Sequence, residues 1–120
     1  STVIMDRPKI LIVDDDESVR LLLTTTLRPH ASEVIELENG LHVLETLVAE
    51  EADLLITDLL MDGKEGLETI TEVRGQFSTL PIFAISASRD FLEIASDLGA
   101  DEIFAKPMDL VRMVHSIQNL

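Results

Sequence analysis

Residues 9–16 read KILIVDDD, and residues 17–29, which follow directly, read ESVRLLLTTTLRP. The first five residues are a short run rich in Ile and Val that ends in polar residues, which predicts a β-strand buried on both faces. The next stretch places apolar residues three or four positions apart and stops at Pro29, which cannot continue a helix. A buried strand followed by an amphipathic helix is the repeating unit of a parallel sheet covered by helices.

The same alternation continues along the whole chain. Four more strands are predicted at residues 33–37, 54–57, 81–86 and 102–105. Helices are predicted between them and after the last strand, and Gly99 stands where the fourth helix would end. The pattern predicts an α/β fold with a doubly wound five-stranded parallel sheet, five helices and strand order 2-1-3-4-5. We expect one domain over residues 1–120, with residues 1–6 as a disordered or vector-derived extension.

Each predicted helix has an apolar face that we expect to pack on the sheet. The residues on these faces are Val19, Leu22, Leu23, Thr26, Leu27, Leu41, Leu44, Leu47, Val48, Leu67, Ile70, Val73, Phe77, Phe91, Ile94, Ala95, Leu98, Leu110, Val114 and Ile117.

The composition excludes several classes of function. The chain has no cysteine, so disulfides, thiolate metal sites and thiol catalysis are excluded. It has 9 Lys and Arg against 23 Asp and Glu, a formal net charge of -14, and such a surface repels nucleic acids and anionic membranes. The chain also lacks a long apolar stretch and a signal-peptide pattern, so we expect a cytoplasmic protein that binds neither nucleic acid nor membrane directly.

Polar side chains follow four of the five predicted strands. Asp14 and Asp15 follow the first strand, Asp58 follows the third, Ser86 ends the fourth and Lys106 follows the fifth. Because the carboxyl ends of parallel strands meet at one edge of the sheet, where ligands bind in such folds, we expect these side chains to lie close together.

Clustered carboxylates predict either raised pKa values or a cation among them, and a hard divalent ion is the favoured solution. Two of them about 5 Å apart repel by on the order of 3 kcal/mol at an effective dielectric constant of about 20. A ligand set of oxygens alone favours Mg²⁺ or Mn²⁺. With the lysine and the hydroxyl, the cluster forms a cradle for a phosphoryl group in which a carboxylate could be the acceptor. Each acid alone could be an ordinary turn or capping residue, and we expect Asp16 to begin the first helix.

Four motifs in this order resemble the receiver domain of two-component response regulators, chemotaxis-regulator-like proteins with a flavodoxin-like fold. They are KILIVDDD at the first strand, LLITDLLMDGKEGLE at residues 54–68, AISAS at residues 84–88 and FAKP at residues 104–107. The resemblance covers the chain from about Arg7 onward.

The resemblance implies a phosphorylation switch with phosphotransfer and autodephosphorylation chemistry. Asp58 would accept a phosphoryl group from a phosphohistidine of a sensor histidine kinase or phosphotransfer protein, and Ser86 and Lys106 would contact that group. The resemblance implies a downstream effector protein or a fused output domain as the partner. It also implies a homodimer that forms on phosphorylation. The implied Mg²⁺ ligands are Asp14, Asp15, Asp58 and the backbone carbonyl of Leu60.

The chain departs from the family pattern at two places. Ile103 stands where the family commonly has Tyr or Phe, and the neighbouring Phe104 is predicted to point into the core. Met61 is followed by Asp62 and Gly63 instead of Pro, which predicts a looser loop.

Two other functions stay open. One is a Mg²⁺-dependent phosphohydrolase that resembles the haloacid dehalogenase superfamily, with Asp14 as the nucleophile and Asp16 as the general acid. The size of the chain counts against it, because that superfamily usually has a longer core, and it leaves Asp58 without a role. The other is a docking module that binds a partner through its acidic surface and takes no phosphoryl group.

Overall fold

A computed structural model describes residues 6–60 and 66–120, and the predicted turn at Asp62 and Gly63 lies outside the described residues, as does most of the predicted extension at residues 1–6. The described strands all run parallel, in the order β2-β1-β3-β4-β5. Their bounds are β1 Lys9–Val13, β2 Glu33–Leu37, β3 Leu54–Asp58, β4 Ile82–Ser86 and β5 Glu102–Ala105. The predicted fold class and strand order are confirmed.

The helices alternate with the strands as predicted. They are α1 Glu17–Leu27, α2 Val43–Glu50, α3 Gly66–Gln76, α4 Arg89–Leu98 and α5 Leu110–Gln118. A short 3₁₀ helix, Arg28–His30, follows α1, and Gly99 ends α4 with a φ of 121°. Within the described ranges, no helix is long and apolar enough to cross a bilayer.

The sheet has a buried core on each face, because successive side chains of a strand point to opposite faces. Residues such as Ile10 and Ile56 pack with α1 and α5 on one face. Residues such as Leu11 and Ala84 pack with α2, α3 and α4 on the other. Phe104 is fully buried in the first of these cores, as predicted.

Some residues of the predicted apolar helix faces are exposed to solvent. Leu41 precedes α2, which begins at Val43, and it therefore has no helical position from which to reach the sheet. On α1, Leu23 and Leu27 fill the core, while Leu22 lies farther round the helix and is 48% exposed. The predicted core positions that are exposed are Leu22, Leu41, Val48, Ile94 and Leu98.

Candidate functional site

Asp58 is the last residue of the central strand β3, and its side chain lies at the carboxyl edge of the sheet. The residue is 3% exposed. Its Oδ1 accepts hydrogen bonds from the backbone N–H groups of Leu59, at 2.8 Å, and Leu60, at 3.4 Å. The carboxylate is therefore held in one orientation by the turn that follows its own strand.

Asp14 lies beside Asp58 because β1 and β3 are neighbours, with Val13 paired to Thr57. The residue is fully buried. Its Oδ1 accepts a hydrogen bond from the backbone N–H of Asp16 at 2.9 Å. A buried carboxylate needs such partners, since an unpaired one costs several kcal/mol.

Lys106 joins the two buried carboxylates. Its Nζ lies 2.9 Å from Oδ2 of Asp14 and 3.2 Å from Oδ2 of Asp58. Its backbone N–H donates to the carbonyl of Ser86 at 2.9 Å, which fixes the start of the loop after β5, and the Lys106–Pro107 peptide bond is cis. Burial would lower the pKa of Lys106, but the hydrogen bond to Asp14 and the charge of Asp58 outweigh it and the pKa is raised. The lysine is therefore a fixed cation in the site.

Asp14, Asp15 and Asp58 form a cluster in which one ligand oxygen of each lies within 4.8 Å of the others. In the described part of the chain, no other group of three or more acidic or histidine side chains meets this condition. The cluster and Lys106 thus bring three carboxyl groups and one ammonium group together. Hard oxygen ligands with an excess of negative charge fit Mg²⁺ or Mn²⁺.

The comparison with protein families agrees with this geometry. The family model of the response regulator receiver domain matches residues 10–118, which include all the residues of the acidic cluster and Lys106. The chain belongs to the response regulator receiver domain family.

Relatives of this receiver domain include proteins of very different length. Sporulation initiation phosphotransferase F of Bacillus subtilis is 30% identical over 108 residues, which cover 88% of this chain and 87% of that protein. The DNA-binding transcriptional regulator NtrC of Escherichia coli is 30% identical over 116 residues, which cover 95% of this chain. The receiver domain spans only 25% of the length of NtrC.

A solved relative was crystallised with a metal ion. The response regulator TrrA of Thermotoga maritima, in complex with Mg²⁺ and BeF, superimposes with a TM-score of 0.84 at 28% sequence identity. The match covers 93% of this chain and 97% of that chain. The two proteins therefore share the whole receiver fold.

Ser86 is close to the cluster in the sheet but points elsewhere. It is fully buried. Because side chains alternate along a strand, its position two residues after Ala84 assigns it to the face of α2, α3 and α4, whereas Asp58, two residues after Ile56, is assigned to the opposite face. Its Oγ accepts a hydrogen bond from the backbone N–H of Ser88 at 3.0 Å. Among the described residues, no hydrogen bond joins the Ser86 hydroxyl to the side chain of Asp58 or of Lys106.

Asp16 is the N-cap residue of α1, as the sequence predicts. Its Oδ1 accepts hydrogen bonds from the hydroxyl and the backbone N–H of Ser18, and these bonds hold the pKa of the exposed Asp16 carboxyl below its usual range. A general acid requires the opposite, a raised pKa. The geometry therefore disfavours the phosphohydrolase reading in which Asp16 donates a proton.

Two residues of the receiver site were missed in the sequence. Gly66 begins α3 so close to β3 that a Cβ atom would overlap the carbonyl oxygen of Asp58 and lie 2.6 Å from Cα of Leu59. Arg20 of α1 donates from Nη1 to the carbonyl oxygen of Asp14 at 2.6 Å. The sequence marked Gly66 only as a glycine near the start of a helix, and it gave no signal for Arg20. Both contacts depend on how the helices dock on the sheet.

The charge of Asp58 is destabilising in the folded receiver domain. Burial and the nearby charge of Asp14 raise the pKa of Asp58 above its ordinary value of 3.8, despite the attraction of Lys106. When the pKa of an acid is higher in the folded state than in the unfolded state, protonation of that acid stabilises the folded state. This stabilisation is complete at a pH below the unfolded-state pKa, and it is lost as the pH rises through the folded-state pKa. Ionised Asp58 therefore lowers the free energy of unfolding at neutral pH.

We expect Asp58→Asn to raise the free energy of unfolding at neutral pH by roughly 1–2 kcal/mol, because it removes one repelling charge from the cluster. The gain should shrink as the pH falls towards the ordinary carboxyl pKa. Urea denaturation followed by circular dichroism, in the presence of EDTA, measures both values. Asp16→Asn serves as the control, because Asn also caps helices well, and it should change the stability little. An equal gain for Asp58→Asn at acid and neutral pH would contradict the electrostatic explanation.

Proposed function

We propose that this receiver domain accepts a phosphoryl group on Asp58 from a phosphohistidine of a sensor histidine kinase or a phosphotransfer protein, in a reaction that needs Mg²⁺. The resulting aspartyl phosphate switches the binding of a partner in the cytoplasm. The observation that carries this proposal is the position of Asp58, which lies beside the cation of Lys106 and in one cluster with the carboxylates of Asp14 and Asp15. A nucleophile, a fixed cation and a candidate metal site meet there at one edge of the sheet.

In the proposed transfer, a carboxylate oxygen of Asp58 attacks the phosphorus atom of the donor. A bond forms between this oxygen and phosphorus, the phosphorus–nitrogen bond breaks, and its electron pair returns to the imidazole ring of the donor. Phosphoryl transfer is catalysed mainly by positioning and by neutralising charge on the phosphoryl oxygens. The backbone N–H groups of Leu59 and Leu60 position the nucleophile, and Lys106 lies close enough to pair with a phosphoryl oxygen.

We assign the metal ligands to Asp14, Asp15, Asp58 and the backbone carbonyl of Leu60. A bound Mg²⁺, or Mn²⁺ in its place, would neutralise negative charge on the phosphoryl group and on the carboxylates. The TrrA relative, solved with Mg²⁺ and BeF, supports a site for a cation and an anion together in this fold. Aspartyl phosphate would be lost again by hydrolysis in the same site, which gives the switch its autodephosphorylation activity.

The readout is proposed to start at Ser86. Its hydroxyl would have to leave Ser88 and turn towards the phosphoryl group, which would move the loop between β4 and α4. Ile103, in place of the family's usual aromatic residue, lies on the neighbouring strand β5. The output is either a separate effector or a fused domain, since the relatives include one little longer than this chain and one about four times as long. A homodimer that forms on phosphorylation is a further arrangement.

The test of this function is incubation with acetyl phosphate and Mg²⁺, followed by intact-protein mass spectrometry and fragmentation to locate the label. A gain of one phosphoryl group on Asp58 supports the proposal. A label on Asp14 instead would support the phosphohydrolase, and no label under conditions in which the protein is folded would support the docking module.

We expect Lys106→Met to lower the initial rate of this labelling about 100-fold, the size of effect seen when one charge-stabilising donor is removed. The variant loses the cation that faces the transferred group, and it also leaves Asp14 and Asp58 to repel each other. Lys9→Met makes the same change of charge at the opposite end of β1 and should label within about twofold of the wild type. A rate for Lys106→Met within about threefold of the wild type would restrict Lys106 to a structural role.

A further inference from the structure

Arg20 connects the metal cluster to the edge of the sheet. Its Nη1 donates to the backbone carbonyl of Asp14 at 2.6 Å, and its Nε lies 3.3 Å from Oε1 of Glu36 on β2. The Arg20 side chain is 14% exposed. A short hydrogen bond from a charged donor to a carbonyl, in a position shielded from water, is a strong restraint on that carbonyl.

The restrained carbonyl belongs to the peptide unit that joins Asp14 to Asp15. This unit is planar and ends at the Cα atom of Asp15, so restraining its oxygen restrains the plane and the position of that Cα. The Asp14 carboxylate has its own restraints, from the N–H of Asp16 and from Lys106. The contact of Arg20 therefore adds a restraint on the backbone that joins the two acidic residues.

Arginine suits this position because its planar guanidinium presents several donors at fixed angles. One of them reaches the carbonyl of Asp14 while another faces Glu36, whose strand is paired with β1 at Ile12. A lysine has a single side-chain nitrogen, which cannot occupy the two separate positions that Nη1 and Nε of Arg20 take. Glu36 thus keeps the guanidinium in place for its contact with Asp14.

We propose that Arg20 is a positioning residue that holds the peptide unit between Asp14 and Asp15 in place for the divalent cation and so sets the affinity of the site for metal. This inference rests on the metal site of the proposed function. Residues that orient metal ligands commonly change metal affinity 10–100-fold when they are replaced. Arg20 is also a positive charge beside a cation site, and a role through charge alone would have the opposite sign, since its removal would strengthen metal binding.

The experiment is a titration with Mn²⁺, followed by the electron paramagnetic resonance signal of the free ion. Asp15→Asn gives the background binding of the acidic surface. We expect Arg20→Met to weaken Mn²⁺ binding about tenfold, and Arg20→Lys to weaken it as well, although it keeps the charge. Arg28→Met, in the exposed first position of the 3₁₀ helix that follows α1, makes the same change of charge and should bind Mn²⁺ within about twofold of the wild type.

Labelling by acetyl phosphate at increasing Mg²⁺ gives an independent readout. In Arg20→Met, the Mg²⁺ concentration for half of the maximal rate should rise about tenfold, while the rate at saturating Mg²⁺ stays within about threefold of the wild type. Asp58 and Lys106 are unchanged, so the chemistry recovers once metal is bound. A general loss of structure would lower the maximal rate and leave the half-saturating concentration unchanged.

Three results would overturn the inference. They are unchanged or tighter Mn²⁺ binding by Arg20→Met, wild-type affinity in Arg20→Lys, or a wild type that binds Mn²⁺ no better than Asp15→Asn. The last result also removes the proposed metal site. If the wild type binds Mn²⁺ with the expected dependence on Arg20 but takes no phosphoryl group, the positioning role stands and the phosphoacceptor function fails.

Discussion

Asp58→Asn is expected to take no phosphoryl group from acetyl phosphate and Mg²⁺, with the label reduced by about a thousandfold or more. The amide has almost the same shape and still offers an oxygen to the N–H groups of Leu59 and Leu60, so the fold and the turn should persist. An amide oxygen without a negative charge is a poor nucleophile, and no bond to phosphorus should form. Intact-protein mass after a fixed incubation measures the loss directly.

Two further variants serve as comparisons for that result. Asp14→Asn removes a metal ligand and a partner of Lys106 but leaves the nucleophile, so its labelling should be slowed about 100-fold and recover partly at high Mg²⁺. Asp16→Asn changes an exposed capping acid and should label as the wild type does. A label that persists in Asp58→Asn and is absent in Asp14→Asn would contradict the proposed function and favour the phosphohydrolase.

Gly66→Ala is expected to destabilise the protein by about 3 kcal/mol or more, the upper range for inserting an atom where none fits. The added methyl group would overlap the backbone of Asp58 and Leu59, which cannot move aside as a flexible side chain can. Either β3 or the start of α3 must shift, and a shift of β3 displaces Asp58. We therefore expect slower labelling as well, even at a temperature where the variant is fully folded.

Gly75→Ala is the matched control on the same helix. Apart from its chain neighbours and the nearby backbone of its own helix, no atom lies within 4 Å of the position that its Cβ would take, and alanine favours helix more than glycine does. Thermal denaturation should show a stability equal to that of the wild type or greater by up to about 1 kcal/mol, with unchanged labelling. Equal stabilities for the two alanine variants would show that α3 adapts without moving β3.

The sequence predicted the acidic part of the site because Asp14, Asp15 and Asp58 stand at strand ends. Strand ends are read from local apolar runs, and parallel pairing brings them to one edge whatever the details of packing. Lys106 was found by the same rule. Ser86 also ends a strand, but alternation along β4 assigns its side chain to the opposite face of the sheet from Asp58. The face of a strand's last side chain depends on the exact residue at which the strand ends.

The sequence by itself determined the α/β class, the strand order and the edge where the chemistry collects, because alternating strands and helices with right-handed connections leave few topologies. Only the tertiary structure decided how the groups are paired. Lys106 lies between Asp14 and Asp58, Gly66 touches the end of β3, and Arg20 holds the carbonyl of Asp14. These contacts join residues on different elements, and their distances depend on how each helix docks on the sheet, which no local pattern of residues specifies.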